Sequence, residues 1–152
     1  AVALVEDVAA LGPRVNFGAC LERLLIALRG DLNTGKVAIE LHAPNLPLRS
    51  EAVLPAALFV HEAVSNAVRH AFPNGRAGMV VVSASRHPGE TVVMISDDGV
   101  GLPPHVDPRH EHTAGVRLMQ RLAEAVHGEV DVSVDHGTQI MLRIPDHMPA
   151  GG

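Results

Sequence analysis

Glu62 and Asn66 stand four residues apart in the run His61-Glu62-Ala63-Val64-Ser65-Asn66-Ala67-Val68-Arg69-His70-Ala71-Phe72. In a helix that spacing projects a carboxylate and an amide oxygen from one face, one turn apart. Such a pair can organise a hard cation and its waters. An asparagine inside a helix costs ~0.5 kcal/mol relative to alanine, so its place on or near the apolar side asks for a reason. Glu62 by itself reads first as part of a solvated polar stripe; Glu62, Asn66, Arg69 and His70 together read as a site. A second segment, Asp97-Asp98-Gly99-Val100-Gly101-Leu102-Pro103, places a carboxylate ahead of two glycines. A carboxylate at a strand end can accept a hydrogen bond from an exocyclic amine, and glycines let the backbone approach a flat or phosphorylated ligand. Alone, this pattern is often just a turn. A third signal is Gly115 at a helix start, where free backbone N–H groups favour phosphate.

These residues need elements to hold them. Phe17, Leu21, Leu24, Leu25 and Leu28 recur at helical spacing, and Gly30-Asp31 ends that helix. Val37, Ile39 and Leu41 alternate with polar or small residues, as in a half-buried strand, and Pro44 and Pro47 break the chain. Residues 51–72 form the strongest predicted helix, stopped by Pro73-Asn74-Gly75. Residues 79–86 and 91–97 read as strands joined by a turn at 87–90. Residues 98–113 read as a loop and 114–127 as a helix that Gly128 ends. A second hairpin joins 129–134 to 138–144 through His136-Gly137. Helices and strands are interspersed without strict alternation. That predicts an α+β, two-layer sandwich, with helices covering one face of a mixed, mainly antiparallel sheet.

Composition narrows the functions. The chain has 152 residues, with 47% apolar residues and three Phe but no Trp or Tyr, so its core must be aliphatic. A net charge of −5 without a basic run argues against nucleic acid as a partner. An acidic chain can still take a nucleotide if a divalent cation supplies the positive charge. A single cysteine, Cys20, excludes an internal disulfide; set among Leu21, Leu24 and Leu25 it reads as a small buried residue in a reducing compartment. No run reaches the ~18 apolar residues that span a bilayer. Ala at position 1 and a pattern that opens mid-run predict a segment of a longer protein.

In order and spacing the three segments resemble the GHKL superfamily of ATPases, most nearly the catalytic domains of bacterial sensor histidine kinases. Residues 61–73 are similar to that family's asparagine box, 97–103 to its first glycine box and 113–119 to its second, and Gly137-Thr138 to the Gly-Thr pair late in the fold. The run from His70 to Gly78, together with His61 ahead of Glu62, resembles the subgroup related to HWE kinases. The resemblance implies the Bergerat ATP-binding fold over residues 14–146, with 1–13 a linker or the end of a preceding helix and 147–152 a tail. It implies ATP and Mg²⁺ as ligands. Asn66 would coordinate the metal, and Glu62 would act as a polarising base near the γ-phosphate. Arg69 and His70 would lie near the phosphates, and Asp97 would bind the adenine amine with Thr138 supporting it through water. Gly99 and Gly101 would shape the adenine pocket, and Gly115 would approach the phosphates.

The chain departs from that pattern in several places. Thr113 stands where the second box has its first glycine, the tryptophan of true HWE kinases is absent, and Asp98 adds a negative charge to the pocket where Asn is common. The segment between Gly101 and Gly115 is short. Its His105, His110 and His112, with Asp107, read as a solvated loop rather than a metal site, which needs fixed geometry and a fourth ligand. The implied activity is transfer of the γ-phosphate to a histidine on a separate dimerisation domain. A response regulator, a homodimeric parent and a cytoplasmic location follow from the same resemblance. An anti-sigma-factor serine kinase and a GHKL scaffold that no longer binds ATP are the competing readings.

Overall fold

The computed structural model describes residues 14–32, 35–72, 76–99, 114–134 and 136–147. Strand β1 (Arg14–Asn16) leads directly into helix α1 (Phe17–Asp31). Asn16 closes the junction: its Oδ1 accepts from Ala19 N at 3.3 Å and from Leu46 N at 3.1 Å, so one side chain caps the helix and pins a distant loop. The predicted stripe Phe17, Leu21, Leu24, Leu25 and Leu28 is buried.

Strand β2 (Val37–His42) and strand β3 (Pro47–Arg49) follow. The short β3 pairs antiparallel with β1, and this two-stranded ribbon was not expected. Three residues carry no readable alternation. Pro47, read as a chain break, opens β3 instead, a position where its missing N–H is tolerated.

Helix α2 (Ser50–His70) is the long helix at the centre of the helical layer. It starts one residue before the predicted span and ends two residues before it, at the C-cap Ala71. Strands β4 (Gly78–His87) and β5 (Glu90–Asp97) form the predicted hairpin, turning through Gly89 at φ 78°. Helix α3 (Ala114–Ala125) is shorter than predicted by two residues. The left-handed position after it belongs to His127, at φ 55°, not to Gly128. Gly128 serves a close approach instead, since a Cβ there would stand 2.6 Å from the carbonyl oxygen of Arg143. Strands β6 (Glu129–Val134) and β7 (Thr138–Pro145) complete the second predicted hairpin.

The main sheet runs β2-β4-β5-β7-β6. The β2–β4 pair is parallel and the other three pairs are antiparallel, as the mixed, mainly antiparallel expectation has it. Alternate sheet residues Val80, Val82, Val93, Ile95, Leu142 and Ile144 face the helices and are buried against Leu21, Leu25, Val53, Val60 and Val64. All three phenylalanines are buried too, so the aliphatic core uses every aromatic ring the chain has. Cys20 is half-buried at the edge of this core rather than inside it, and burial raises its thiol pKa against the opposing charge of Arg23.

The base of the domain gathers the start and end of the described fold. Arg86 forms a two-pronged ion pair with Asp146 at 2.7 and 3.1 Å, Arg14 Nη2 donates to the Asp146 carbonyl at 3.5 Å, and Asp146 N donates to Gly89 O at 3.0 Å. The segment 1–13 and the tail beyond His147 lie outside the described residues. Among the described residues, no helix is long and apolar enough to cross a membrane.

Candidate functional site

The site is assembled where the end of α2, the end of β5, the start of α3 and the start of β7 meet. Glu62 and Asn66 are half-buried on the last turns of α2. Gly115 lies in the first turn of α3 and faces both. A Cβ at this position would stand 2.5 Å from Glu62 Oε1 and 3.1 Å from Asn66 Nδ2. The glycine therefore lets the backbone of α3 come against the two polar side chains of α2. The helix N-terminus carries a partial positive charge. One corner thus combines a carboxylate, an amide oxygen and the positive end of a helix.

Asp97 ends β5 and is half-buried. Its Oδ1 accepts from the backbone N–H of Gly99 at 3.0 Å and of Thr138 at 3.3 Å. Burial pushes the Asp97 carboxyl above the ordinary carboxylate range. The two N–H groups oppose that rise, and the neighbouring Asp98 charge adds to it. Two glycines pack the surroundings tight. A Cβ at Gly99 would overlap the carbonyl of Ala71, just past α2, and one at Gly137 would overlap the carbonyl of Asp97 itself. Gly137 also has φ 132°, a conformation that side chains rarely adopt. The first glycine segment and the Gly-Thr pair are thereby locked to the same carboxylate and to the end of the asparagine-bearing helix.

The structure adds detail at three of the expected positions. Thr138 also reaches Asp97 directly, through its backbone N–H. Asp98 turns its carboxylate to the start of β4, where Oδ1 accepts from Met79 N at 2.8 Å, while its carbonyl accepts from Arg76 Nη2 at 3.3 Å. Its charge acts on the neighbouring Asp97, whose pKa it helps to raise. Arg69 and His70 are exposed, and Arg69 Nε donates back to the Ser65 carbonyl at 3.2 Å. Among the described residues neither forms a hydrogen bond or ion pair with Glu62, Asn66 or Asp97. Gly101, Thr113, Asp107, His105, His110 and His112 lie outside the described residues. Ala71, Phe72 and Gly78 wall this corner through the contacts of Gly99 and Gly78; the sequence marked them only as part of the run from His70 to Gly78, because small and apolar residues carry no chemical signature.

Residues 36–144 match the family described as histidine kinase-like ATPase domain. Blue-light-activated histidine kinase 2 of Erythrobacter litoralis is 29% identical over 133 residues, which is 86% of this chain and 38% of that protein. Sensor histidine kinase PdtaS of Mycobacterium tuberculosis is 27% identical over a 154-residue alignment, covering 95% of this chain and 30% of that protein. The chain thus spans about a third of the length of these relatives. The histidine kinase domain of the Erythrobacter litoralis EL346 blue-light-activated kinase superposes with a TM-score of 0.80 at 26% identity, over 93% of this chain and 67% of that one. With the fold, the three segments and the matched family in agreement, the chain belongs to the histidine kinase-like ATPase domains.

Proposed function

We propose that this chain is the ATP-binding catalytic domain of a sensor histidine kinase, transferring the γ-phosphate of ATP to a histidine on a separate dimerisation domain. The observation that carries the reading is the meeting of Gly115 with Glu62 and Asn66 beside the hydrogen-bonded Asp97 carboxylate. Membership in an ATPase domain family implies ATP binding, and the residues present fit it. Asp97 keeps Oδ2 without a hydrogen bond among the described residues, and that oxygen suits the adenine amine. Glycine at 99, 115 and 137 lets the elements of the site close on one another, since a Cβ at these positions would meet Ala71 O, Glu62 Oε1 and Asp97 O.

Asn66 would hold Mg²⁺ through its amide oxygen. When bound, the cation neutralises phosphate charge that the acidic residues of this site cannot. Glu62 would take the proton that the acceptor imidazole releases as the N–P bond forms and the bond to ADP breaks. Gly115 brings the N–H groups of α3 to the phosphates. Positioning and charge neutralisation carry most phosphoryl transfer, and these are the tasks the residues suit. Arg69, His70 and Gly101 retain their proposed places around the phosphates and the base. The layout of a linker at 1–13, a domain at 14–146 and a tail at 147–152 belongs to the same reading. So do a place in the HWE-related subgroup, a response regulator partner, a homodimeric parent and a cytoplasmic location. The serine-kinase and non-binding scaffold alternatives are less well supported, because the relatives named above are histidine kinases and the Asp97 cradle is intact.

Calorimetric titration with ATP and ADP, with and without Mg²⁺, tests the binding. Saturable heat that strengthens with Mg²⁺ is expected. Acid-labile, base-stable label from γ-labelled ATP should appear when a histidine-bearing helical hairpin is supplied, with little on the chain alone. No heat at millimolar nucleotide would sink the reading in favour of the scaffold.

A further inference from the structure

Among the described residues the buried polar side chains are Arg49, Ser65 and Thr91, and Arg49 alone of these carries a charge. It is 5% exposed and lies at the base of the domain, where the nucleotide reading uses no residue. Removing a guanidinium from water is costly unless its donors are met, and here they are met by three separate elements. Nε donates to Pro145 O at 3.1 Å, Nη1 to Glu51 Oε1 at 3.1 Å, and Nη2 to Val126 O at 2.7 Å. Pro145 ends β7, Glu51 sits in the first turn of α2, and Val126 directly follows α3.

The position of Arg49 is unusual for what it does. It is the N-cap residue of α2, yet its side chain makes no capping bond to that helix. It caps the other end of a neighbour instead: Val126 O lies at the C-terminal, partially negative pole of α3. The two helices therefore run antiparallel and are joined at both ends. At one end Gly115 lies against Glu62 and Asn66; at the other, Arg49 holds Val126. Between them lie the 12 residues of α3, about 18 Å of helix. A helix is stiff along its axis, so a shift of α3 along α2 at the Arg49 end is felt at Gly115, where the fit has no slack.

We infer that Arg49 is a positioning residue for the nucleotide site: it fixes the axial placement of α3 against α2, and with it the approach of Gly115 to Glu62 and Asn66. The inference rests on the nucleotide reading proposed above. It assigns Arg49 no contact with the ligand. A planar five-donor fork is suited to three acceptors in different directions, and the ammonium of lysine is not.

The test compares two ligands on the full chain. Mg-ATP meets both ends of the site, whereas adenosine meets the Asp97 corner but has no phosphate to meet α3. Arg49→Met keeps an apolar stem and removes the donors. It should weaken Mg-ATP about tenfold, which is ~1.4 kcal/mol, and leave adenosine affinity unchanged, with circular dichroism and a cooperative melt confirming the fold. Arg49→Lys should show the same split, smaller. Equal losses for the two ligands, or no loss for either, would overturn the inference, since a merely structural role does not tell them apart. An unmutated chain that binds neither ligand would instead refute the nucleotide reading. Should the variants not fold, hydrogen exchange on the unmutated chain decides. Mg-ATP, and not adenosine, should slow exchange at the His127 and Gly128 amides, which close the end of α3; equal protection by both ligands, or by neither, would overturn it.

Discussion

The two halves of the site are built differently. At the Asp97 corner the carboxylate is held by two backbone N–H groups and walled by glycines packed against carbonyls. At the Glu62–Asn66 corner the chemistry sits on side chains that make no hydrogen bond among the described residues. A pocket held by backbone N–H groups and close-packed glycines is rigid. A side-chain corner can adjust to a cation and to phosphates whose charge changes during reaction. On the nucleotide reading proposed above, this makes a division of labour: a preformed surface for the base, and groups free to close on the phosphates.

The contrast is sharpest in rate against affinity. Glu62→Gln keeps size and hydrogen bonding but loses the charge, so nucleotide affinity should be nearly unchanged while phosphoryl transfer to a supplied histidine hairpin slows ~10²–10⁴-fold. Asn66→Ala should show the reverse balance, with the main loss in Mg-ATP binding. A normal transfer rate in Glu62→Gln would remove that residue from the chemistry and break the division.

At the rigid corner the expected effect is on affinity and selectivity. Asp97→Ala removes a charge-assisted acceptor and should weaken ATP about ten- to hundredfold, the range of ~1.5–3 kcal/mol for such a bond. The unmutated chain should prefer ATP to GTP, because guanine presents a carbonyl oxygen where adenine presents its amine. Equal titration curves for the two nucleotides would mean that Asp97 does not read the base.

A smaller effect comes from titrating Asp97. Burial raises its pKa in the folded chain, so the folded state holds this proton to higher pH than the unfolded state does. Its ionisation therefore weakens the fold as pH rises from the ordinary value of about 3.9 through the raised one, and below that window the penalty is absent. Asp97→Asn keeps an oxygen for Gly99 and Thr138. Its melting temperature relative to the unmutated chain should rise across that window and then level off. Binding runs the other way, since the adenine amine needs the ionised acceptor: ATP affinity should fall on acidification through the raised pKa. A pH-independent difference in melting temperature between the two proteins would show that burial does not perturb this carboxyl.

Long periodic elements were legible in the sequence because periodicity reports burial. The α2 stripe and both hairpins stand close to where alternation and turn residues placed them. Features written in backbone geometry were not. The β1–β3 ribbon is three residues long and has no pattern to read. Gly128 looked like a helix stop, yet His127 adopts the left-handed conformation and Gly128 makes room for Arg143. Thr138 was marked as a support acting through water, and the direct bond from its N–H to Asp97 was not foreseen. Asp98 was read as pocket charge; its charge does act on Asp97, and its carboxylate also ties down the start of β4. Asp97, Glu62, Asn66 and Gly115 could be singled out in the sequence because their residue types and spacing carry a chemical signature, and the fold sets Gly115 against Glu62 and Asn66. Arg49 was missed because an arginine before a helix resembles any surface charge until its three acceptors are seen.

The Asp146 knot has a mechanical consequence. Arg14, at the head of the described fold, and Asp146, near its end, are fastened together beside the β4–β5 turn, while Asp97 lies at the other end of β5. Anything that grips the body at this foot holds a lever whose arm is β5. Its eight residues make an arm of about 26 Å. Turning the foot by about 10° would then carry the nucleotide pocket through an arc of about 4–5 Å with no bond inside the body disturbed. That is comparable to one turn of a helix, enough to move a bound phosphate from one residue of a facing helix to the next.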